Sequence, residues 1–367
     1  MDFTQLLQDI SRGVTSFTWT NAVMIAVGLI LIALAVVKEY EPVLLLPIGF
    51  GCILANLGMS VESGMMKVIY DAGIKTELFP LLIFIGVGAM IDFRPLLAMP
   101  HMVLLGAAGQ FGIYGTLILA TLLGFPLNQA ASIGVIGAID GPTAIFVASK
   151  LAPEMLGAIA VAAYSYMSLV PIIQPPVMRL MTTRKERLIR MEYSARPVSK
   201  RVVIAFPLVV TVIVSVLAPD AAPLIATLML GNLLRESGVV ERLNKTAQNE
   251  LINITTLFLG LAIGATMTAA SFIKWQTIMV LLLGLLAFVL DTVAGLLFGK
   301  LMCFITRGKI NPLIGACGIS AFPMAGRLSA QMAQQEDYNN FILMHAMGSN
   351  TAGQLGSVIA GGLLLAL

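Results

Sequence analysis

Along the chain, long apolar runs alternate with short polar punctuation at close to the spacing a bilayer demands, roughly 20 residues of helix per crossing. Residues 19–37, 42–57, 78–91, 102–125, 156–173, 202–217, 252–270 and 277–305 are apolar enough to predict membrane helices outright. The run 223–234 is shorter and suits half of a bent pair. Three more stretches, 131–148, 310–326 and 341–367, are apolar yet dense in Gly, Ser, Asn and Pro. Such composition predicts segments that enter the membrane interrupted, because irregular backbone at depth is tolerated only where it lines a cavity or is buried in protein. The pattern predicts an all-α polytopic membrane protein of about 10–11 membrane segments, some of them broken helices.

Composition agrees. Hydrophobic residues are 58% of the 367 and charged ones 11%, with mean hydropathy +0.93; a soluble chain is about one quarter charged. The net charge of +3 is small and no basic stretch is interleaved with aromatics, so nothing points to a nucleic-acid partner. Cys52, Cys303 and Cys317 lie in or beside apolar segments without a CxxC pair, which predicts packed thiols rather than disulfides. Residues 1–17 are polar and amphipathic, with no basic n-region or small-residue cleavage site, so no cleavable signal peptide is expected. The one long polar insert, 179–201, carries Arg179, Arg184, Lys185, Arg187, Arg190, Arg196, Lys200 and Arg201 against Glu186 and Glu192. The positive-inside rule makes it cytoplasmic. Its first role is topogenic, and it is also suited to docking an acidic cytoplasmic partner.

That loop divides the chain into halves that resemble each other. FIGVGAMIDF (84–93) recurs as FLGLAIGATM (258–267), and IGVIGAIDGP (133–142) as IGACGISAFP (314–323), with glycines and proline in register. A polar triplet follows each broken element, Tyr164-Ser165-Tyr166 in one half and Gly348-Ser349-Asn350 in the other. Interrupted segments at matching positions of two repeats point to a transporter-like site near the bilayer midplane. The chain accordingly divides into N-terminal segments (1–77), repeat 1 (78–178, broken around 131–148), the basic loop (179–201), connecting segments (202–250) and repeat 2 (251–367, broken around 310–327).

Candidate chemistry sits in the breaks. Asp140 stands in the middle of GAIDGPTAIF (137–146), where a charge costs about 2.5–3.5 kcal/mol on insertion scales. Pro142 disrupts the helical ladder and Gly141 lets the chain turn. The freed carbonyls, the Asp140 carboxylate and Thr143 are hard oxygen ligands suited to an alkali cation. In repeat 2, KINPLIGACGISAFPMAGRLS (309–329) sets Asn311, Ser320 and Arg327 along a second break. Arg327 lies deep in apolar sequence, where it must be paired or face water; its planar fork suits a carboxylate. MGSNTAGQ (347–354) adds Ser349, Asn350, Thr351 and Gln354. Tyr166 and Ser320 offer hydroxyls for coordinating a cation or passing a proton. Asp291 is a weaker second intramembrane acid, Asp92 and Arg94 read as a helix-end pair, and His101 and His345 lack partners at metal-ligand spacing.

These segments resemble the β subunits of the sodium-pumping biotin-dependent decarboxylases, the membrane subunits of the oxaloacetate, methylmalonyl-CoA, glutaconyl-CoA and malonate enzymes. The likeness runs over nearly the whole chain, through KEYEPVLLLPIGFG (38–51), GAIDGPTAIF, AYSYMSLVPIIQPP (163–176), NPLIGACGISAFPMAGR (311–327) and HAMGSNTAGQ (345–354). The resemblance implies that carboxybiotin, made by a cytoplasmic carboxyltransferase α subunit on a biotin carrier protein, docks here and is decarboxylated with uptake of one proton, driving Na+ outward. It implies a sodium-site aspartate at Asp140, a functional tyrosine at Tyr166, and Asn311, Gly315, Ser320 and Arg327 as further functional positions, with a second sodium-coordinating asparagine at Asn350. It also implies an inverted-repeat, elevator-like transporter fold assembled as a homotrimer in a bacterial or archaeal cytoplasmic membrane, with a small γ or δ membrane subunit beside it.

Taken together, Arg327 is expected to hold the carboxylate of carboxybiotin near the cytoplasmic mouth, with Asn311 and Gly315 beside it; Na+ is expected at Asp140 with backbone oxygens of the broken elements, and a second ion near Asn350, with Thr143, Ser320 and Tyr166 as further metal-site positions. Asp140 or the hydroxyls of Tyr166 and Ser320 would exchange a proton against the ion. The short connection between the first two membrane segments suggests the compact members of the family, often those acting on acyl-CoA substrates. The chain lacks an Ala-Met-Lys-Met-type biotinylation motif, the nearest stretch being MMKV (65–68), so biotin must arrive on another protein. Two rival readings stand: a Na+/organic-anion secondary transporter, since fold alone does not fix function, and a passive membrane scaffold, against which intramembrane Asp140 and Arg327 argue.

Overall fold

The structure, a computed structural model, describes residues 17–138, 140–192 and 197–366. Residues 1–16, Ile139 of the first break and Arg196 of the basic loop lie outside the described residues.

The described chain is helical, and the apolar runs dictate its helices: α1 (Trp19–Val37), α2 (Pro42–Asn56), α3 (Leu78–Met90), α4 (Met102–Ala108), α5 (Phe111–Leu122), α6 (Leu127–Gly134), α7 (Gly141–Leu151), α8 (Leu156–Met181), α9 (Lys200–Leu217), α10 (Ala222–Ser237), α11 (Ile252–Thr266), α12 (Trp275–Ile305), α13 (Met324–Glu336) and α14 (Leu343–Leu364). Among the described residues, six helical stretches are long and apolar enough to cross a membrane: Trp19–Val37, Met102–Leu122, Pro153–Met181, Lys200–Leu217, Glu241–Thr266 and Trp275–Ile305. Gly64–Lys75 with α3, bent by 57°, makes a seventh. The other segments expected from the sequence are present as helices too short, too polar or too broken to meet that standard. Of the three stretches dense in Gly, Ser, Asn and Pro, two are broken, while the last forms the continuous 22-residue α14.

Helices approach closely where glycines meet. On α1 and α2 a Cβ added to Gly28 would lie 2.7 Å from the Gly49 carbonyl oxygen, and one added to Gly49 would lie 2.7 Å from that of Gly28. Without a hydrophobic force between helices in lipid, such backbone contact is what membrane packing uses. α1 and α9 expose large apolar side chains along most of their length, among them Leu29, Ile30, Val212 and Val216.

Two helical hairpins form the centre. The first is α6, the turns at 135–138, and α7, which Asp140 caps. Its two ends are tied together by Asn128 Nδ2, which donates to the Leu151 carbonyl at 2.7 Å, and by Gln129 Nε2, which donates to Glu154 at 2.8 Å. This base adjoins the start of α8. The second is the 3-10 stretch Pro312–Gly318, a break at 319–323, and α13. Its base is tied to the segment that leaves the far end of α8. Asn311 Nδ2 donates to the carbonyls of Arg187 (3.1 Å) and Ile189 (2.9 Å). Glu336 pairs with Arg187 (2.7 Å) and Arg184 (3.2 Å), and Asp337 pairs with Arg190 (2.6 Å). A helix of 26 residues is about 39 Å long at 1.5 Å per residue, so the hairpins enter from opposite ends of α8. Their tips touch: Ser320 donates to the Ala138 carbonyl through both its N–H (3.1 Å) and its Oγ (2.7 Å).

Candidate functional site at the crossing of the two breaks

Asp140 is the N-cap of α7, and Gly141 and Pro142 fill the first turn behind it. A carboxylate there complements the unpaired N–H groups and dipole of a helix start. Oδ1 accepts from the Thr143 N–H at 2.9 Å, and Oδ2 accepts a short hydrogen bond from Gln354 Nε2 of α14. The residue is 8% exposed, with no cationic side chain among the described residues in ion-pair reach.

The carbonyls bared by the second break are largely taken up by side-chain amides. Gln174 Nε2 donates to Ala316 O (2.7 Å), Gln110 Nε2 to Gly318 O (3.0 Å), and Asn350 Nδ2 to Cys317 O (3.1 Å) and Ile319 O (2.7 Å). This satisfies backbone that has no water to turn to. What remains unmatched is a set of side-chain oxygens. Thr143 Oγ1, Asn350 Oδ1, Ser349 Oγ and the Tyr164 hydroxyl are buried without a hydrogen-bond partner. Buried polar atoms are normally paired, so unpaired oxygens on α7, α8 and α14, which pack together at Asp140, form a set of neutral donors that fits a hard cation.

Two cavities reach Asp140. A void of about 10 Å³ lies among Ala138, Asp140, Phe288 and Ser320, the lower limit for one water-sized guest. A larger cavity of about 340 Å³ is lined by Asp140, Tyr164, Ser320, Gln354, Thr256 and Glu41 among others.

The residues singled out from sequence fall into three places. Asp140, Thr143, Ser320 and Asn350 come together at the crossing. Tyr166 is half-buried on another face of α8, and its hydroxyl donates to the Leu281 carbonyl of α12 in a short hydrogen bond. Asn311 and Gly315 lie along the entering arm of hairpin 2. Gly315 packs its backbone on Gly295 of α12, and both donor hydrogens of the Asn311 amide are used on the basic loop.

Arg327 corrects an expectation. It is exposed rather than buried, and no described carboxylate lies in ion-pair reach of it. α13 is amphipathic: Ala325, Gly326, Ser329 and Ala330 face inward and Arg327 sits on the opposite face. Exposed in this way, Arg327 does not count against a scaffold role; buried Asp140 still does.

Asp291 of α12 is fully buried beside Gly112 and Gly137, with the backbone N–H groups of Gly112 and Ile113 turned toward its carboxyl, and it lines neither of the cavities at Asp140. Asp92 and Arg94 do pair (3.8 Å), within a larger cluster in which Arg94 meets Glu236 at 2.5 Å. The three cysteines are free. At the basic end, hydrogen bonding to Arg187, with Arg184 nearby, holds the Glu336 carboxyl below its usual range. Arg190 does the same for Asp337.

Sequence reasoning assigned no role to Tyr164, Gln110 or Gln174, and did not connect Gln354 to Asp140. Gln354 carried one usable signal, since it lies one helical turn after Asn350 and so shares its face.

A family model described as the Na+-transporting oxaloacetate decarboxylase beta subunit matches residues 20–367. The chain is 54% identical over 367 aligned residues to the glutaconyl-CoA decarboxylase subunit beta of Acidaminococcus fermentans, covering 99% of this chain and 97% of the relative. It is 55% identical over 356 residues to the methylmalonyl-CoA decarboxylase subunit beta of Veillonella parvula, covering 97% and 95%. It is 47% identical over 409 residues to the oxaloacetate decarboxylase beta chain of Klebsiella pneumoniae, covering 94% of each.

Proposed function

The chain belongs to the family of Na+-transporting decarboxylase beta subunits, and from that premise we propose how it couples decarboxylation to ion movement. It is the Na+-translocating, multi-pass membrane subunit of a biotin-dependent decarboxylase. Its cargo, Na+, binds at the crossing of the two hairpins: Asp140 supplies the charge, and Thr143 Oγ1, Asn350 Oδ1 and Ser320 supply neutral oxygens. The unmatched buried oxygens around Asp140 are the observation that carries this reading.

Its substrate is carboxybiotin on a carrier protein loaded by a carboxyltransferase α subunit. Arg327, exposed on hairpin 2 and unpaired among the described residues, suits an incoming carboxylate in bidentate geometry. Asn311 and Gly315 act indirectly, by holding the hairpin that carries Arg327 against the basic loop and α12. Loss of the carboxyl as CO2 leaves biotin and takes up one proton. Tyr166 and Ser320 lie on the two sides of the route that proton takes, and exchange of H+ against Na+ at the hairpin tips is the coupling step.

Hairpins that enter from opposite ends of α8 favour an inverted repeat of about 10–11 membrane segments, divided as the sequence suggests at 78–178 and 251–367 around the basic loop. An elevator-like movement, a homotrimer, a small γ or δ partner and a bacterial cytoplasmic membrane with the basic end inside complete the proposal. Higher identity to the two acyl-CoA relatives than to the oxaloacetate chain favours an acyl-CoA substrate for the whole complex.

Proteoliposomes holding the complete complex, supplied with carboxylated carrier, test this. Wild type should move 22Na+ in step with CO2 release, and Asp140→Asn should lose both. Na+-driven uptake of an organic anion by this chain alone would instead make it a secondary transporter.

A further inference from the structure

Two tyrosines stand two residues apart on α8, and only one of them faces the ion site. Consecutive residues of a helix are turned by about 100°, so Tyr164 and Tyr166 point to nearly opposite sides. Tyr166 has its hydroxyl committed to the Leu281 carbonyl and lines neither cavity at Asp140. Tyr164 is 1% exposed, its hydroxyl has no hydrogen-bond partner, and it lines the larger cavity with Asp140, Ser320 and Gln354. Its ring and hydroxyl press against the first residue of α7: a Cβ added to Gly141, next to Asp140, would come 2.6 Å from the Tyr164 oxygen.

We propose that the Tyr164 hydroxyl oxygen is a ligand of the transported Na+, completing the set begun by Asp140, Thr143 and Asn350. This rests on the reading of Asp140 as the sodium carboxylate. A buried hydroxyl is normally paired, and here the nearby amides are turned to other acceptors. One Gln354 amide hydrogen is given to Asp140, and the Asn350 amide hydrogens are given to Cys317 and Ile319. A phenol oxygen is a neutral, hard donor that adds coordination without adding charge, which suits a monovalent cation beside the Asp140 carboxylate. The glycine at 141 has a reason on this account, since any side chain there would push the phenol away from the break.

The test is the Na+ dependence of decarboxylation by the complete complex at fixed pH. Wild type, Tyr164→Phe and Asp140→Asn are compared, and the rise in melting temperature caused by Na+ is read on the same preparations. Tyr164→Phe removes one oxygen and keeps the ring. It should raise the half-saturating Na+ concentration by about tenfold, the equivalent of 1.4 kcal/mol. The Na+-induced melting shift should shrink, while the rate at saturating Na+ stays within a few-fold of wild type. An unchanged half-saturation and an unchanged melting shift in Tyr164→Phe, with Asp140→Asn having lost both, would overturn the Tyr164 assignment alone. If Asp140→Asn also kept wild-type Na+ dependence, the site itself would be misassigned, and Tyr164 with it. If Tyr164→Phe proved too unstable to assay for turnover, its melting shift with Na+ against that with K+ decides the matter, retention of the full Na+-specific shift overturning the proposal.

Discussion

Replacing Gln354 by Met removes a hydrogen-bond donor from the Asp140 carboxylate while keeping side-chain volume and helix propensity. Gln354 is 1% exposed and lines the cavity of about 340 Å³ beside Asp140. Asp140 would then keep only Thr143 of its own helix as a partner, whose N–H donates at 2.9 Å. A hydrogen bond to a charged group contributes about 1.5–3 kcal/mol, and truncation of one partner here leaves the other desolvated. Any step that requires the Asp140 carboxylate to be charged and correctly turned should therefore weaken by about 10- to 150-fold, at 1.4 kcal/mol per decade. The assay is decarboxylation against Na+ concentration in the assembled complex. The half-saturating Na+ concentration should rise by at least tenfold, with the concentration of carrier needed for half-maximal rate unchanged. A Gln354→Met complex whose Na+ dependence stays within twofold of wild type would refute the idea that α14 orients the carboxylate.

Other expectations follow from the frame around the site. Asn311→Ala removes two hydrogen bonds to the basic loop and the cap on Leu313 N–H at 3.0 Å, together about 2–4 kcal/mol at roughly 1 kcal/mol each; trypsin cleavage between Arg184 and Arg190 should accelerate accordingly. The Glu336 and Asp337 carboxyls lie below their ordinary values of 4.5 and 3.8, chiefly through Arg187 and Arg190 respectively. Their tether is therefore present in full above those ordinary values and is lost as pH falls through and below them. A spin label at Lys185→Cys should be equally restrained at pH 8 and pH 6 and become mobile only in acid. Gly88→Ala would drive a Cβ into the Leu228 carbonyl of α10; overpacking of about 1–3 kcal/mol or more should lower the melting temperature in detergent without altering the Na+ half-saturation of the protein that folds.

Much of the frame was legible because membranes impose strict rules. Apolar runs near the span length became helices, while Pro142, read from sequence as a break in the helical ladder, stands in the first turn of α7, where a residue without an N–H does best. Proline was not by itself a reliable sign of interruption, since Pro171, Pro175 and Pro176 all sit within the continuous α8. Glycine density was equally ambiguous. In α14 it serves close packing, with Gly353 lying on the backbone of Gly318, so the helix runs on unbroken. Asp140 stood out because a carboxylate in an apolar run has few explanations. Its partner Gln354 did not, being 214 residues away and joined to it only by the folded arrangement. Arg327 misled because the run that precedes it is apolar, whereas the helix that carries it is amphipathic and turns the arginine outward. The choice between Tyr164 and Tyr166 needed the rotation of α8, which no local pattern encodes.

The measurement that bears most directly on the account is 22Na+ binding to the purified chain, without partners or carboxybiotin, for wild type and Asp140→Asn. The account predicts saturable, Na+-selective binding in wild type and its loss in Asp140→Asn, with both proteins melting cooperatively. Equal Na+ binding by the two would contradict it and move the ion away from the crossing of the hairpins.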